Sequence, residues 1–360
     1  MKKLGTITAA LGFIYLGIWM VFRNTNVELA ENLFKWWPIL IILLGVEILA
    51  YFGRRTEEQK IGFNYLVIVV LILFVGINAV QFVGSKVGRG VKWIGDNISI
   101  TEDIEFLNDI NINKYKVINS EINLEPNIKL VNLLISNGDI KVRKSSDNNV
   151  KIEANIYVDR DFQNNDYNIN AQKKENGYEV NIREVYIKKA EINMYIPEGY
   201  DIKVNSDNVR IKSEDSLKLV KYDIKSSNGS VELLGGTSAN VDINNGAVKI
   251  RDINDVNIKS NNSNINLDGN IENIRVKSNN GAVSVNNNIC KNVNIDMNLG
   301  AVKVNTKDRN INLDIDINHG PVDVNGEKRL NASVRNNMGT GANSLKIHVE
   351  NGAVVVRNQE

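Results

Sequence analysis

The sequence predicts an all-β repeat domain of the β-solenoid type that follows an α-helical membrane N-terminus. Three observations carry this prediction. Apolar residues alternate over short stretches of the C-terminal part, a polar corner built on glycine returns about every 17 to 20 residues, and three long apolar segments precede the repeats. We therefore expect a right-handed, single-stranded β-helix-like solenoid with about 17 to 20 residues per coil.

The repeated phrase is Asn-Gly-Ala-Val or a close variant, with alternating apolar residues on both sides of it. Its corner glycines are Gly138, Gly229, Gly246, Gly281, Gly300, Gly320 and Gly352. Glycine adopts positive φ freely and Asn tolerates it, so the pair suits a tight reversal. Ser263 replaces glycine in one copy, so positive φ is not required at every corner.

Alternation sets the two faces of each predicted strand. Val283, for example, should be buried and the following Ser284 exposed. Ordinary antiparallel hairpins are the alternative, because Asn-Gly between alternating residues is also a hairpin signal. The nearly constant spacing and the small residue that often follows the glycine favour stacked coils.

The chain divides by composition into an apolar front and an Asn-rich remainder. The predicted parts are a three-span transmembrane domain at 1–84, a juxtamembrane linker at 85–105 and the β-solenoid domain at 106–360. The predicted spans lie at about 4–22, 37–52 and 63–83. A signal peptide is the alternative for the first span, but two further spans follow it.

Orientation is set only weakly by the basic residues around the spans, because their numbers balance on the two sides. The N-terminal amine and the Arg54–Arg55 pair favour a cytoplasmic N-terminus. With three spans, this predicts a multi-pass protein of the cell membrane whose C-terminal domain lies outside. Lys86, Arg89, Lys92 and Trp93 in the linker are typical of a chain leaving the headgroup layer.

Glu47 lies inside the second predicted span and is the candidate functional residue within the membrane. A carboxyl group in hydrocarbon is costly unless it is neutral or paired, so such a residue is a functional hypothesis by default. The alternative is that Glu47 stays protonated or pairs near the end of the span. A Glu47→Gln substitution should then leave folding intact.

Residues with catalytic or metal-binding chemistry are few, and we predict no catalytic residue, no cofactor and no metal. Cys290 is the only cysteine, and His319 and His348 are the only histidines. Asp316 and Asp323 flank one corner, so calcium is a minor alternative. The net charge of +1 argues against a nucleic-acid partner.

The residues LGFIYLG at 11–17 and WWPILIILLG at 36–45 resemble the LiaI/LiaF-like transmembrane region of bacterial cell-envelope stress proteins. The residues ISNGDIKV at 135–142, INMYIPEGYDIKV at 192–204 and the later Asn-Gly copies resemble the toastrack, or "putative adhesin", β-repeat family. The resemblance implies a membrane-anchored module without enzymatic activity that acts in envelope-stress sensing. Three predicted spans depart from the usual two or four.

Two classes of function follow. The first is a non-enzymatic scaffold or sensor whose solenoid surface binds a membrane or envelope protein or a cell-wall polymer, with a surface adhesin-like module as a variant. The second is a small transporter or enzyme that uses Glu47. Because only 358–360 follow the last strand at 353–357, we also expect an exposed terminal strand. That edge would be covered by the irregular 106–200 region or used for self-association.

Overall fold

The computed structural model describes residues 3–25, 33, 36, 38–52, 62–63, 114–126 and 129–358. The chain forms two compact units, 1–86 and 87–360. The predicted linker at 85–105, with its basic residues and tryptophan, lies outside the described residues. The same holds for the third predicted span, apart from Phe63.

The N-terminal unit contains two helices, α1 (Thr6–Thr25) and α2 (Ile39–Phe52). Two short strands, β1 (Lys3–Leu4) and β2 (Gly62–Phe63), pair in parallel. Among the described residues, no helix is both long and apolar enough to cross a membrane. Helix α1 overlaps the predicted span at 4–22, and α2 overlaps the predicted span at 37–52.

The second unit is mostly β-structure, and its strands belong to one 15-stranded sheet. The strands are β3 (Tyr115–Leu124), β4 (Leu130–Lys144), β5 (Val150–Asp159), β6 (Asn170–Lys174), β7 (Gly177–Ile182), β8 (Ile187–Ile196), β9 (Asp201–Ser213), β10 (Lys221–Gly269), β11 (Asn273–Asn287), β12 (Asn292–Thr306), β13 (Ile311–His319), β14 (Pro321–Val324), β15 (Glu327–Leu330), β16 (Ser333–Asn337) and β17 (Asn343–Asn358).

Successive copies of the repeat lie side by side in parallel, as stacked coils require and hairpins do not. Strand β10 pairs in parallel with β9 on one side and with β11 on the other, and β11 pairs in parallel with β12. Each residue lies beside its equivalent in the next copy, for example Val283 beside Val302. We call this arrangement the stack.

An antiparallel cap closes the N-terminal end of the stack. After β4, the chain forms β5 to β8 before β9 returns to pair with the other side of β4. Strands β7 and β8 pair in parallel with β4, and β5 then covers β8 in antiparallel orientation. Strand β3 adds an outer antiparallel strand on β5. In the sequence, the cap strands β5 to β8 therefore precede β9 and the later strands of the stack.

The same order is found at the C-terminal end. After β12, the chain forms β13 to β16, and β17 then inserts between β12 and the β13–β14 segment. Strands β16 and β15 cover β13 and β14 in antiparallel orientation. The expectation that 353–357 form an exposed terminal strand is therefore wrong. Nor does the 106–200 region cover this end, because the cap comes from residues after β12.

The core lies inside the stack, where the alternating apolar residues of each coil form columns. One such column is almost completely buried and contains Ile140, Ile211, Val231, Val248, Ile265, Val283, Val302, Val354 and Val322. Burying a side chain of this size contributes roughly 1.5–3 kcal/mol. The predicted burial of Val283 is confirmed at 0% exposure, but Ser284 is also buried, at 5%. It lies on the outer side, in register between Asn266 and Lys303, whose longer side chains flank it.

Candidate interaction surface

A ladder of asparagine side chains runs along the corner of the stack. Each Asn donates its Nδ2–H to the Oδ1 of the equivalent Asn in the neighbouring coil. The bonds are Asn208 to Asn137 at 2.7 Å, Asn228 to Asn208 at 2.8 Å, Asn245 to Asn228 at 3.0 Å, Asn262 to Asn245 at 2.8 Å and Asn280 to Asn262 at 2.8 Å. At the far end, Asn137 donates to the carbonyl oxygen of Lys188 at 2.8 Å.

This ladder gives the corner asparagines a role that differs from the expected one. Among the described residues, positive φ outside glycine is found only at Asp252, Asn325 and Asn331, none of which is a corner Asn. Each corner amide instead joins adjacent coils. The ladder is interrupted at Leu299, which takes the Asn position between Asn280 and Asn351 and is 52% exposed.

Except for Gly320, which lies between β13 and β14, the corner glycines lie inside continuous strands, so the chain bends there without leaving the sheet. Positive φ occurs at Gly246, Gly281, Gly300 and Gly320. At Gly246, Gly281, Gly300, Gly320 and Gly352, an added Cβ would overlap a backbone carbonyl oxygen of the neighbouring coil. The close approach of two backbones, more than φ alone, therefore requires glycine in this column. Gly138 and Gly229 have ordinary φ, and a Cβ there would meet Ile135 and Val209.

Charged side chains on the strand segments that follow the glycines are neutralised by ion pairs between coils. Glu232 lies between Lys249 at 2.9 Å and Lys212 at 3.5 Å. Burial alone would raise the pKa of Glu232, but the two lysines hold this pKa below its ordinary value. Arg210 pairs in the same way with Asp139 at 3.0 Å. We call this side, after the glycine column, the ion-pair face.

The strand segments that precede the asparagine corner form the other polar side, which we call the ladder face. Further amide ladders cross it. Asn261 donates to Asn244 at 3.1 Å, Asn279 to Asn261 at 2.8 Å and Asn298 to Asn279 at 3.0 Å. These side chains are exposed, and the face they form is a regular array of hydrogen-bonding groups. Neighbouring strands in a sheet are about 4.8 Å apart, so the groups repeat at that spacing.

A groove of about 580 Å³ runs along the ladder face, across adjacent coils. One wall contains Asp255, Asn273, Asn292 and Ser344, and the other contains Asn240, Asn257, Arg275, Asn294 and Lys346. Hydrogen bonds order the walls, since Asn273 donates to Asp255 at 2.5 Å and Asn292 donates to Asn273 at 2.8 Å. The groove is therefore a preformed polar channel perpendicular to the strands.

Glu47 lies in α2 and caps the first turn of α1. Its Oε1 accepts hydrogen bonds from the backbone N–H groups of Gly5 at 2.9 Å and Ile7 at 3.4 Å. Its Oε2 accepts from the backbone N–H of Thr8 at 3.0 Å and from Thr8 Oγ1 at 2.7 Å. A helix N-terminus leaves such donors without partners and carries partial positive charge. The carboxylate of Glu47, which projects from α2, therefore accepts hydrogen bonds from the free N–H groups at the start of α1.

The remaining candidate residues are each engaged with neighbouring side chains. Asp323 forms a two-point ion pair with Arg357, with both oxygen-to-nitrogen distances at 2.7 Å. Asp316 accepts from Ser333 Oγ at 2.6 Å and lies 3.5 Å from His348. Within the described part of the chain, no group of three or more His, Cys, Asp or Glu side chains could hold a metal ion.

Cys290 is buried near Thr306, with its Sγ 3.4 Å from the Thr306 Oγ1. Burial is the main cause that raises the pKa of its thiol. Both features are typical of a packed side chain and not of a reactive thiol. His319 takes the corner position beside Asn351, in register with the asparagine ladder.

The fold and these surfaces define a class of protein: a mostly β, stacked-coil module with a polar lateral face, preceded by a short apolar helical region. The family model described as Toastrack DUF4097 matches residues 128–357. This match covers more than half of the chain, so the chain belongs to the Toastrack DUF4097 family. The model described as LiaI-LiaF-like transmembrane region matches residues 7–49, which indicates membrane association. Together they fit a membrane-anchored module without enzymatic activity.

Solved structures that are similar to this chain include the following three. A "putative cell adhesion protein" from Clostridium sporogenes ATCC 15579 has 14% identity and a TM-score of 0.24, covering 68% of this chain and 100% of its own. A "putative adhesin" from Bacteroides fragilis NCTC 9343 has 12% identity and a TM-score of 0.32, covering 67% and 97%. Another from Parabacteroides merdae ATCC 43184 has 12% identity and a TM-score of 0.26, covering 68% and 97%. A comparison with curated proteins gave no match.

Proposed function

We propose that this protein is a membrane-anchored scaffold that senses stress in the bacterial cell envelope, with the stack as its binding surface. In this proposal the N-terminal region is a multi-pass anchor in the cell membrane, and the stack, coiled in a right-handed sense, lies outside. The partner is an envelope protein or a cell-wall polymer that binds the ladder face. The proposed role involves neither a nucleic-acid partner nor a catalytic step.

The observation that carries this proposal is that one chain combines a stack with a polar lateral face and helices with exposed apolar side chains. The stack has a long lateral face with repeating amide groups and a groove along it. The helices of the N-terminal unit expose large apolar side chains, among them Ile14 at 59%, Ile42 at 64% and Leu49 at 74%. Exposed apolar surface on such helices is typical of contact with lipid or with a membrane partner.

The proposed surface is the side of the stack and not its end. Both ends are closed by antiparallel strands, β3 and β5 at one end and β15 and β16 at the other. Closing strands of this kind protect the stack from pairing with another chain. Self-association through the C-terminal strand, expected from the sequence, therefore loses its structural basis, because β17 already has partners on both sides.

The proposal can be tested in intact cells that carry an envelope-stress reporter. We expect external protease to remove the stack from intact cells, and we expect deletion of residues 129–358 to abolish the reporter response while the N-terminal region remains in the membrane fraction. A stack that stays protected until the cells are lysed would contradict the outside location. An unchanged reporter response in the deletion strain would contradict the sensing role.

A further inference from the structure

The exposed cations in and beside the groove lack the carboxylate partners that several cations of the ion-pair face have. On the ion-pair face, Lys212, Lys249 and Arg210 have carboxylate partners in adjacent coils. On the ladder face, the exposed cations in and beside the groove have no ion pair within 4.0 Å among the described residues. They are Arg275 and Lys346 in the groove, and Lys259 and Lys277 beside it.

Repulsion between two of these unpaired cations destabilises the protein when no ligand is bound. Lys259 and Lys277 lie directly opposite each other on adjacent strands, an arrangement in which like charges are destabilising. The nearby acids do not offset this charge within the groove. Asp255 accepts a hydrogen bond from the amide of Asn273, and Asp296 lies beside Lys277 in register without an ion pair to it. Asp314 lies beside Lys346 in register but forms its ion pair with Arg335, at 3.1 Å. An anionic ligand would remove this repulsion.

The side chains of the groove walls also indicate which hydrogen-bonding groups the ligand carries. Apart from the two cations, the walls are built mainly from amide side chains, which both donate and accept hydrogen bonds. Hydroxyl groups match that chemistry. Because equivalent side chains repeat at about 4.8 Å over several coils, the groove suits an extended ligand with a repeating unit better than one compact headgroup.

We infer that the groove binds a linear, hydroxyl-bearing polymer that carries phosphate or carboxylate groups. Arg275 and Lys346 contact the anionic groups, and Asn257, Asn273 and Asn294 contact the hydroxyl groups. This inference rests on the proposed function and narrows its partner from protein or polymer to an anionic polymer. It also gives the unpaired cations of the ladder face a role.

The test uses the full chain in detergent micelles and a synthetic glycerol-phosphate polymer as the probe. We expect the double variant Arg275→Gln/Lys346→Gln to bind the polymer at least tenfold more weakly. The matched control Lys212→Gln/Lys249→Gln removes the same charge from the ion-pair face and should bind within about twofold of the wild type. Binding should weaken with added salt, and less steeply in the groove variant. Dextran, a neutral hydroxyl polymer, should bind weakly to all three proteins.

Several results would overturn the inference. These are absence of polymer binding by the wild type, equal losses in both double variants, and equal competition by inorganic phosphate or by vesicles of anionic lipid. Thermal unfolding of each variant checks that the fold is retained. Polymer binding that persists while the stress reporter is silent would contradict the proposed function but leave this inference standing. A normal reporter response in a protein that does not bind the polymer would contradict only the inference.

Discussion

Gly352 of β17 lies directly beside Gly300 of β12, although β13 to β16 separate the two strands in the sequence. A Cβ on Gly352 would overlap the carbonyl oxygen of Gly300. Gly352 has no positive φ, so the only obstacle to a larger residue there is the neighbouring backbone. This contact shows why the glycine column recurs.

We therefore expect Gly352→Ala to destabilise the protein by about 3 kcal/mol or more, since the adjacent coil must shift to admit the methyl group. Gly326→Ala is the matched control. Gly326 has φ of 95° but open space around it, so only backbone strain of about 1–2 kcal/mol should result. Chemical denaturation of both variants checks this. A larger loss for Gly326→Ala would show that conformation and not stacking governs the column.

Much of the fold was readable from local sequence, because the pattern that buries Val283 and its equivalents is short and repeats. The place of β17 was not readable. Strands β13–β14 and β17 carry the same phrase, so either could lie on β12, and the choice depends on contacts distant in sequence. The groove was also missed, because it arises only when several coils are laid side by side. The asparagine ladder could have been found, since Asn recurs at one position of the repeat.

The interruption at Leu299 gives a prediction of increased stability. Leu299→Asn should join Asn280 and Asn351 into one continuous ladder, because residue 299 lies in register between them. Closing both gaps adds two hydrogen bonds and should raise stability by about 1–2 kcal/mol, since one hydrogen bond contributes about 1 kcal/mol net. Leu330→Asn is the control, since Leu330 is 71% exposed but lies outside the ladder. Equal melting temperatures for Leu299→Asn and the wild type would contradict a stabilising role for the ladder.

Glu47 leads to a revised expectation for its amide variant. Glu47→Gln should lower the stability of the N-terminal unit by about 1–3 kcal/mol, because an amide has one acceptor oxygen where two now accept from Gly5, Ile7 and Thr8. Thr8→Val, which removes only the hydroxyl donor, should have a smaller effect. Circular dichroism of the full chain in micelles measures both. Normal stability with lost stress signalling would instead make Glu47 a functional residue.

The ion pair between Asp323 and Arg357 predicts a pH dependence. Hydrogen bonds from Arg357 hold the pKa of Asp323 below its ordinary value. A carboxyl group with a lowered pKa in the folded state contributes stability above its unfolded pKa, and this contribution is lost as pH falls through the folded value. Asp323→Asn should therefore be less stable than the wild type at neutral pH, and the difference should shrink at strongly acidic pH. Asp166→Asn, at an exposed position, is the control. A stability difference between Asp323→Asn and the wild type that stays constant with pH would contradict this role of the ion pair.

Antiparallel strands close the stack at both ends, and β17 lies inside it, between β12 and the β13–β14 segment. Disulfide formation in a Cys290→Ser background tests this directly. Lys303 lies beside Val355, and Val355 lies beside Asp323. Adjacent strands are about 4.8 Å apart, within reach of a disulfide, whereas positions two strands apart are not. Lys303→Cys/Val355→Cys should oxidise to an intrachain disulfide, and Lys303→Cys/Asp323→Cys should not. A disulfide in the second pair and none in the first would place β14 on β12, leave β17 at an open end and contradict the claim.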